Sequence, residues 1–263
     1  METLDRHATG LAVQNMAPAA SMTWTARPER RPRRNLPLMR KYEVAGLTAT
    51  GTVVTLTHIA PAMPHLDEVV SAFAHGTLIE TPSGPIAIED LRPGQMLRTS
   101  DAGAQRLLWV GSTVLAAAPE SEAAPPVTRI TADCLGPGRP ISDLVLGPRA
   151  RLVVRHPGCR ALCGSDAALV PASALTDGTT LIALRPTWPV RLYHLGLARQ
   201  YILLANGVEV ESYHPGENAL ELLEPGTRQA FLALFPHLRG RAAFGEAALP
   251  RLTTFEFETL SSA

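Results

Sequence analysis

"SAFAHGTLIETPSGPIAIEDLRPGQML" occupies Ser71 to Leu97, and its punctuation decides the fold class. Residues 77–81 form a short apolar run, Ser83-Gly84 is a turn signal, and residues 85–88 form a second run. Pro93-Gly94 then turns the chain into a third run at 95–99. Strands this short, cut this often and with no long helices between them, mean an all-β body and not a βαβ fold.

The same pattern continues outward to about Ser212. Further strands are expected at 105–112, 127–130, 144–146, 151–154, 169–171, 180–184, 190–197, 201–205 and 208–212. Asp101-Ala102-Gly103, Gly136-Pro137-Gly138, Asp177-Gly178 and Asn206-Gly207 separate most of them. Asn-Gly between two apolar runs suits a two-residue hairpin, because both residues accept positive φ. The resulting expectation is a mainly β body.

The flanks read differently. β-branched runs around "KYEVAGL" and "GTVVTLTHI" predict a hairpin over 41–59, and "MPHLDEVVSAFA" has helical spacing, with Leu66, Val69, Val70 and Phe73 on one face. "PGTRQAFLALFPHL" predicts an amphipathic C-terminal helix, and "LPRLTTFEFETLSSA" reads as a strand or a tail. Phe73, Phe231 and Phe235 are the expected contacts between flanks and β body. The organisation expected is a disordered basic tail (1–36), hairpin and helix (37–71), β domain (72–214) and helical extension (215–263).

Composition narrows the function. Lys plus Arg equals Asp plus Glu at 24 each, so no global charge draws the chain to nucleic acid or an anionic surface. The local exception is "RPERRPRRN", where Arg27, Arg30, Arg31, Arg33 and Arg34 form a like-charge block suited at most to weak contact with nucleic acid or an acidic partner. No basic start with an apolar run marks a secretory signal, and no apolar stretch reaches the roughly 20 residues that span a bilayer. With three sparse cysteines, Cys134, Cys159 and Cys163, a cytoplasmic setting is expected. His156, Cys159 and Cys163 fall in "RHPGCRALCGSD", which reads as a loop without a second ligand pair, so no metal and no cofactor are expected.

Three blocks carry a family resemblance. "GTLIETPSGPIAIEDLRPGQML" resembles the opening block of the hedgehog/intein (Hint) family in its bacterial stand-alone branch. "DLVLGPRARLVV" is similar to its second block and "LYHLGLARQYILLANGVEVESY" to its closing block. They stand in the family's order across roughly residues 72–213. The resemblance implies a horseshoe-like all-β fold that brings the two ends of the domain together.

It also implies a chemistry. A Cys or Ser at the first position attacks the preceding carbonyl, a His in the second block protonates the leaving nitrogen, and in inteins a final His-Asn pair releases the domain. Here the nucleophile position is Ala72 and the acid position is Ala150, in Gly147-Pro148-Arg149-Ala150. The closing His is Gln200, and Glu211 and Ser212 stand where the intein His and Asn would be. Gln95 replaces the Asp of the family's Gly-Asp turn. A methyl group can neither attack a carbonyl nor protonate a nitrogen. Because so many positions differ together, the expectation is natural degeneration, not a single trapping substitution.

Ser71 and Thr77 flank the position and His75 could serve either as a base; His194 lies on a predicted strand. Each has an ordinary reading: hydroxyls cap loops, a His before Gly is a solvated turn residue, and a strand His is a core group. Two functions follow. The first is a non-catalytic Hint-type module that binds a protein partner or acts as a scaffold. The alternative is an atypical self-processing domain using Ser71 or Thr77.

Overall fold

The computed structural model describes residues 39–117, 125–216, 218–238 and 244–261. The expected tail at 1–36, with its arginines, lies outside the described residues. The strands among the described residues are β1 (Met39–Leu47), β2 (Val53–Pro61), β3 (Phe73–Ala74), β4 (Leu78–Ile79), β5 (Ile86–Ala87), β6 (Met96–Thr99), β7 (Gly103–Arg106) and β8 (Trp109–Leu115). The series continues with β9 (Val127–Ile130), β10 (Leu144–Leu146), β11 (Arg151–Arg155), β12 (Ala167–Pro171), β13 (Leu181–Leu184), β14 (Val190–Gly196), β15 (Ile202–Ala205) and β16 (Val208–Glu211).

These strands make two antiparallel sheets. One runs β13-β9-β10-β3-β14-β8-β1-β2 and the other β12-β11-β16-β15-β4-β5, with β6 pairing β15 and β7. The mainly β expectation therefore holds. Asn206 and Gly207 adopt φ of 47° and 84° and join β15 to β16. Asn206 does more than turn the chain: its Oδ1 accepts the Leu78 N–H at 2.8 Å and its amide donates to Ser142 Oγ at 3.0 Å.

Four expectations need correction. The strand expected at 105–112 is two strands, because Leu107 N–H donates to the Gln95 carbonyl and Leu108 N–H to the Gly196 carbonyl. At that point the chain leaves one sheet for the other, so β7 and β8 belong to different sheets.

The predicted helix before Ser71 is one turn, α1 (Pro64–Asp67), followed by a 3-10 turn at Glu68–Val70. Ala72 N–H then goes to the Tyr193 carbonyl and Phe73 pairs with Leu146 and Tyr193. Sheet bonds from distant strands outcompete the helical period.

The "RHPGCRALCGSD" loop contains a short helix, α2 (Cys159–Cys163), stopped by Gly164 in a left-handed conformation at φ 74°. Cys159 is buried against Ala168, Val170 and Leu260.

The C-terminal strand or tail is largely a helix. After a single bridge between Arg251 and Leu169, helix α4 (Thr254–Ser261) begins. Thr253 N–H donates to Glu256 and Glu256 N–H donates to Thr253 Oγ1, a reciprocal cap that starts a helix.

The expected amphipathic helix forms as α3 (Pro225–Ala233). Phe231 and Phe235 from this region surround Trp109 and Tyr213, and Trp109 Nε1–H donates to the Leu234 carbonyl at 2.7 Å. Phe73 belongs instead to the larger cluster with Ile79, Leu97, Leu146 and Leu203. The hairpin of β1 and β2 extends the first sheet, because β1 pairs with β8 from Tyr42↔Thr113 to Gly46↔Trp109. Among the described residues no helix is long and apolar enough to cross a membrane.

Candidate functional site

The junction between Ser71 and Ala72 is held by two segments far from it in sequence. The Ser71 carbonyl accepts the Arg149 N–H at 3.1 Å, and the Ala72 carbonyl accepts the Gly147 N–H at 2.7 Å. The Ala72 N–H donates to the Tyr193 carbonyl at 3.0 Å. Two residues further along β14, the Leu195 carbonyl accepts the Tyr213 N–H at 2.7 Å. Strand β14 thus ties the start of the β body to its end.

Gly147 is required by this approach. A Cβ placed on it would stand 2.2 Å from the Ser71 carbonyl oxygen and 2.7 Å from the carbonyl carbon. The turn that follows returns the Ala150 N–H to the Gly147 carbonyl at 3.2 Å. Ala72 and Ala150 are both fully buried in the same apolar cluster. The Ser71 carbonyl is polarised by an N–H, and the side chains beside it at 72 and 150 are methyl groups.

The closing positions have a different architecture. Gln200 Nε2 donates to Glu211 Oε2 at 2.8 Å, and the same carboxylate oxygen accepts Arg251 Nε at 3.0 Å and Nη2 at 2.8 Å. Arg151 Nε stands 3.9 Å from Glu211 Oε1. Glu211 is 2% exposed; burial pushes its carboxyl up from the ordinary range, while Arg251 and Arg151 pull it down. Ser212 Oγ accepts the Tyr201 N–H at 2.8 Å. Gln200 also grips the C-terminal segment, donating its N–H to the Glu246 carbonyl and accepting the Ala248 N–H on Oε1 at 2.9 Å.

The substitute residues are dispersed. Thr77 Oγ1 donates to the Ala74 carbonyl at 2.7 Å, a turn-capping bond. The exposed His75 pairs with Glu89 at 3.3 Å and stacks on Tyr193. The Ser71 side chain is buried. His194 is fully buried between the edges of Phe73 and Tyr213. That burial drives its pKa down to about 3, so at neutral pH it is an uncharged imidazole with no acidic proton to give.

Sequence reasoning missed Arg251. It lies 40 residues beyond Glu211 in a segment without periodicity, and nothing local marks it as a partner for a buried carboxylate. A cavity of about 240 Å³, lined by His65, Glu68, Arg149, Tyr213 and His214, opens beside the junction, with the Arg149–Glu68 ion pair (3.3 Å) on its wall. A larger one of about 780 Å³ is lined by Ala74, His75, Val145, Trp188 and Tyr193.

Two antiparallel sheets thus hold residues 71–72 against residues 147–149 and strand β14, and β14 against Tyr213. The family model described as "Hint domain" matches residues 71–217, and the chain belongs to that family. Among solved structures, the solution structure of a bacterial intein-like domain from Clostridium thermocellum is similar, with 14% identity and a TM-score of 0.39, covering 54% of this chain and 99% of that one. The crystal structure of the MchDnaB-1 intein is similar at 16% identity and a TM-score of 0.33, covering 54% of this chain and all of that one. No curated protein matches the chain.

Proposed function

We propose that this Hint-domain protein does not cleave itself and acts as a binding or scaffold module in the cytoplasm. The observation that carries the reading is the pair of buried methyls, Ala72 and Ala150, beside a carbonyl that is otherwise correctly held. An amide needs both a nucleophile and a proton donor to break. His194, uncharged in its apolar pocket, supplies neither. The mostly apolar cavity of about 780 Å³, with Trp188 70% exposed on its rim, gives a binding role a place on the surface. The described cysteines are unpaired, in keeping with a reducing compartment.

The test is the intact mass of the purified chain under denaturing conditions, after prolonged incubation at neutral pH with and without a small thiol. The full-length mass is expected throughout. A fragment pair ending at Val70 and beginning at Ser71, or one ending at Gly76 and beginning at Thr77, would overturn the reading in favour of self-processing by Ser71 or Thr77. Ser71→Ala and Thr77→Val would then identify the nucleophile.

A further inference from the structure

Strand β2 lies at the end of the first sheet and is nine residues long, Val53–Pro61. Among the described residues nothing pairs with its outer side. Proteins normally blunt such an edge with short length, charged residues, proline, a bulge or a covering segment. The other sheet ends follow that rule: β13 and β7 have four residues each, β5 has two, and β12 has five with the Leu169–Arg251 bridge across it. β2 does not. It carries no Asp, Glu, Lys or Arg, its only proline is the last residue, and its register on β1 runs unbroken from Val53↔Leu47 to Pro61↔Met39.

The direction of its free bonding groups follows from the hairpin. Thr48 N–H donates to the Thr52 carbonyl at 2.9 Å, which makes that pair a bonded one. In an antiparallel ladder bonded and non-bonded pairs alternate. Residues 54, 56, 58 and 60 therefore bond to β1, and Val53, Thr55, Thr57 and Ile59 aim N–H and C=O at the open edge. Leu47 confirms the phase, since its N–H turns away from β2 to the Leu108 carbonyl. The same alternate residues are the exposed ones, with Ile59 at 70%.

We propose that β2 is a self-association edge, on which a second copy of this chain pairs antiparallel about a twofold axis through Thr57. This register sets Thr57 against Thr57, Thr55 against Ile59 and Val53 against Pro61. Each of the outward N–H groups then meets a carbonyl of the other copy, and Pro61, which has no N–H, is needed only as an acceptor. The cross-strand pairs are β-branched or apolar, the kind that stabilise a sheet face. Shifting the axis to Leu56 leaves Pro61 outside the ladder and shortens it from nine facing residues to seven. A twofold contact of this kind closes on itself and stops at two copies. The formal net charge of zero puts no global repulsion between them.

The experiment is sedimentation equilibrium of the full chain across a concentration series, with two variants. A reversible dimer is expected. Thr57→Pro removes an outward N–H that β1 does not use, and Thr57→Lys puts like charges together on the axis; each should weaken the dimer by roughly tenfold or more. Thr57→Cys should give a disulfide-linked dimer on mild oxidation, because bonded antiparallel pairs place Cα atoms about 5.5 Å apart, within disulfide reach. Thr52→Cys, off the axis, should not. A monomer at every concentration overturns the proposal, as does a dimer that resists both substitutions, or equal cross-linking at positions 57 and 52.

Discussion

Replacing Arg251 by alanine should strip Glu211 of its nearest cation. The carboxylate is 2% exposed, and Arg251 supplies two of its charge-assisted hydrogen bonds, at 2.8 and 3.0 Å. Removing one member of a buried pair costs about 3–5 kcal/mol. Gln200 at 2.8 Å and Arg151 at 3.9 Å remain, which argues for the lower end. The lost bond from Arg251 to the His214 carbonyl, at 2.8 Å, adds about 1 kcal/mol. A net loss of about 4 kcal/mol at pH 8 is expected.

The pH dependence has a definite sign. Burial already raises the Glu211 carboxyl, and losing Arg251 raises it further. A carboxyl whose folded value lies above its unfolded one favours folding below the unfolded pKa, about 4.3, and loses that contribution as pH rises through the folded value. The Arg251→Ala penalty should therefore be larger at pH 8 than at pH 5. Urea denaturation at both pH values measures it. In a Glu211→Gln background the same substitution should cost only about 1 kcal/mol, since no buried charge is left unpaired. A penalty under about 0.5 kcal/mol at pH 8, or the same penalty in both backgrounds, would refute the reasoning.

Gly147→Ala drives a methyl to 2.2 Å from the Ser71 carbonyl oxygen and should cost about 3 kcal/mol or more. Gly226→Ala, with nothing within 4 Å, should be neutral or stabilising by about 0.5 kcal/mol; parallel thermal melts compare the two. His194, with its pKa near 3, holds full stability above about pH 6.5 and loses up to about 1.4 kcal/mol per pH unit as pH falls toward 3. His194→Gln should flatten that slope in urea titrations, and identical slopes would contradict it. Ala72→Cys with Ala150→His should give at most slow, thiol-dependent cleavage after Ser71, read by mass. Rapid cleavage would show that the changed positions Gln95 and Gln200 matter less than geometry requires.

The residues that declared themselves in the sequence are those whose role is local. Asn206-Gly207 needed only its own φ angles to make a hairpin, and the Ser83-Gly84 and Pro93-Gly94 turns bound strands for the same reason. What stayed hidden depends on partners far along the chain. Nothing near Leu107 says that its N–H belongs to one sheet and that of Leu108 to the other. Val69 and Val70 keep a helical period, yet Tyr193 and Leu146 draw the next residues into a sheet. The candidate site divides in the same way. Ala72 and Ala150 could be located by their blocks, whereas the closeness of Gly147 to Ser71 and the reach of Arg251 to Glu211 exist only after folding.

The pairing of β1 with β8 changes what any break after Ser71 would mean. The chain before that residue contributes two full strands to the sheet, and Tyr42, Val44, Leu66 and Val70 to the cluster around Trp109. Hydrolysis there would cut one covalent bond and leave the hydrogen-bond ladder and buried surface in place. The result would be a nicked protein that migrates as a whole under native conditions and separates only in denaturant. In this arrangement a peptide bond can be opened while β1, β2 and the residues up to Val70 stay seated, so this stretch is a structural part of the sheet it extends.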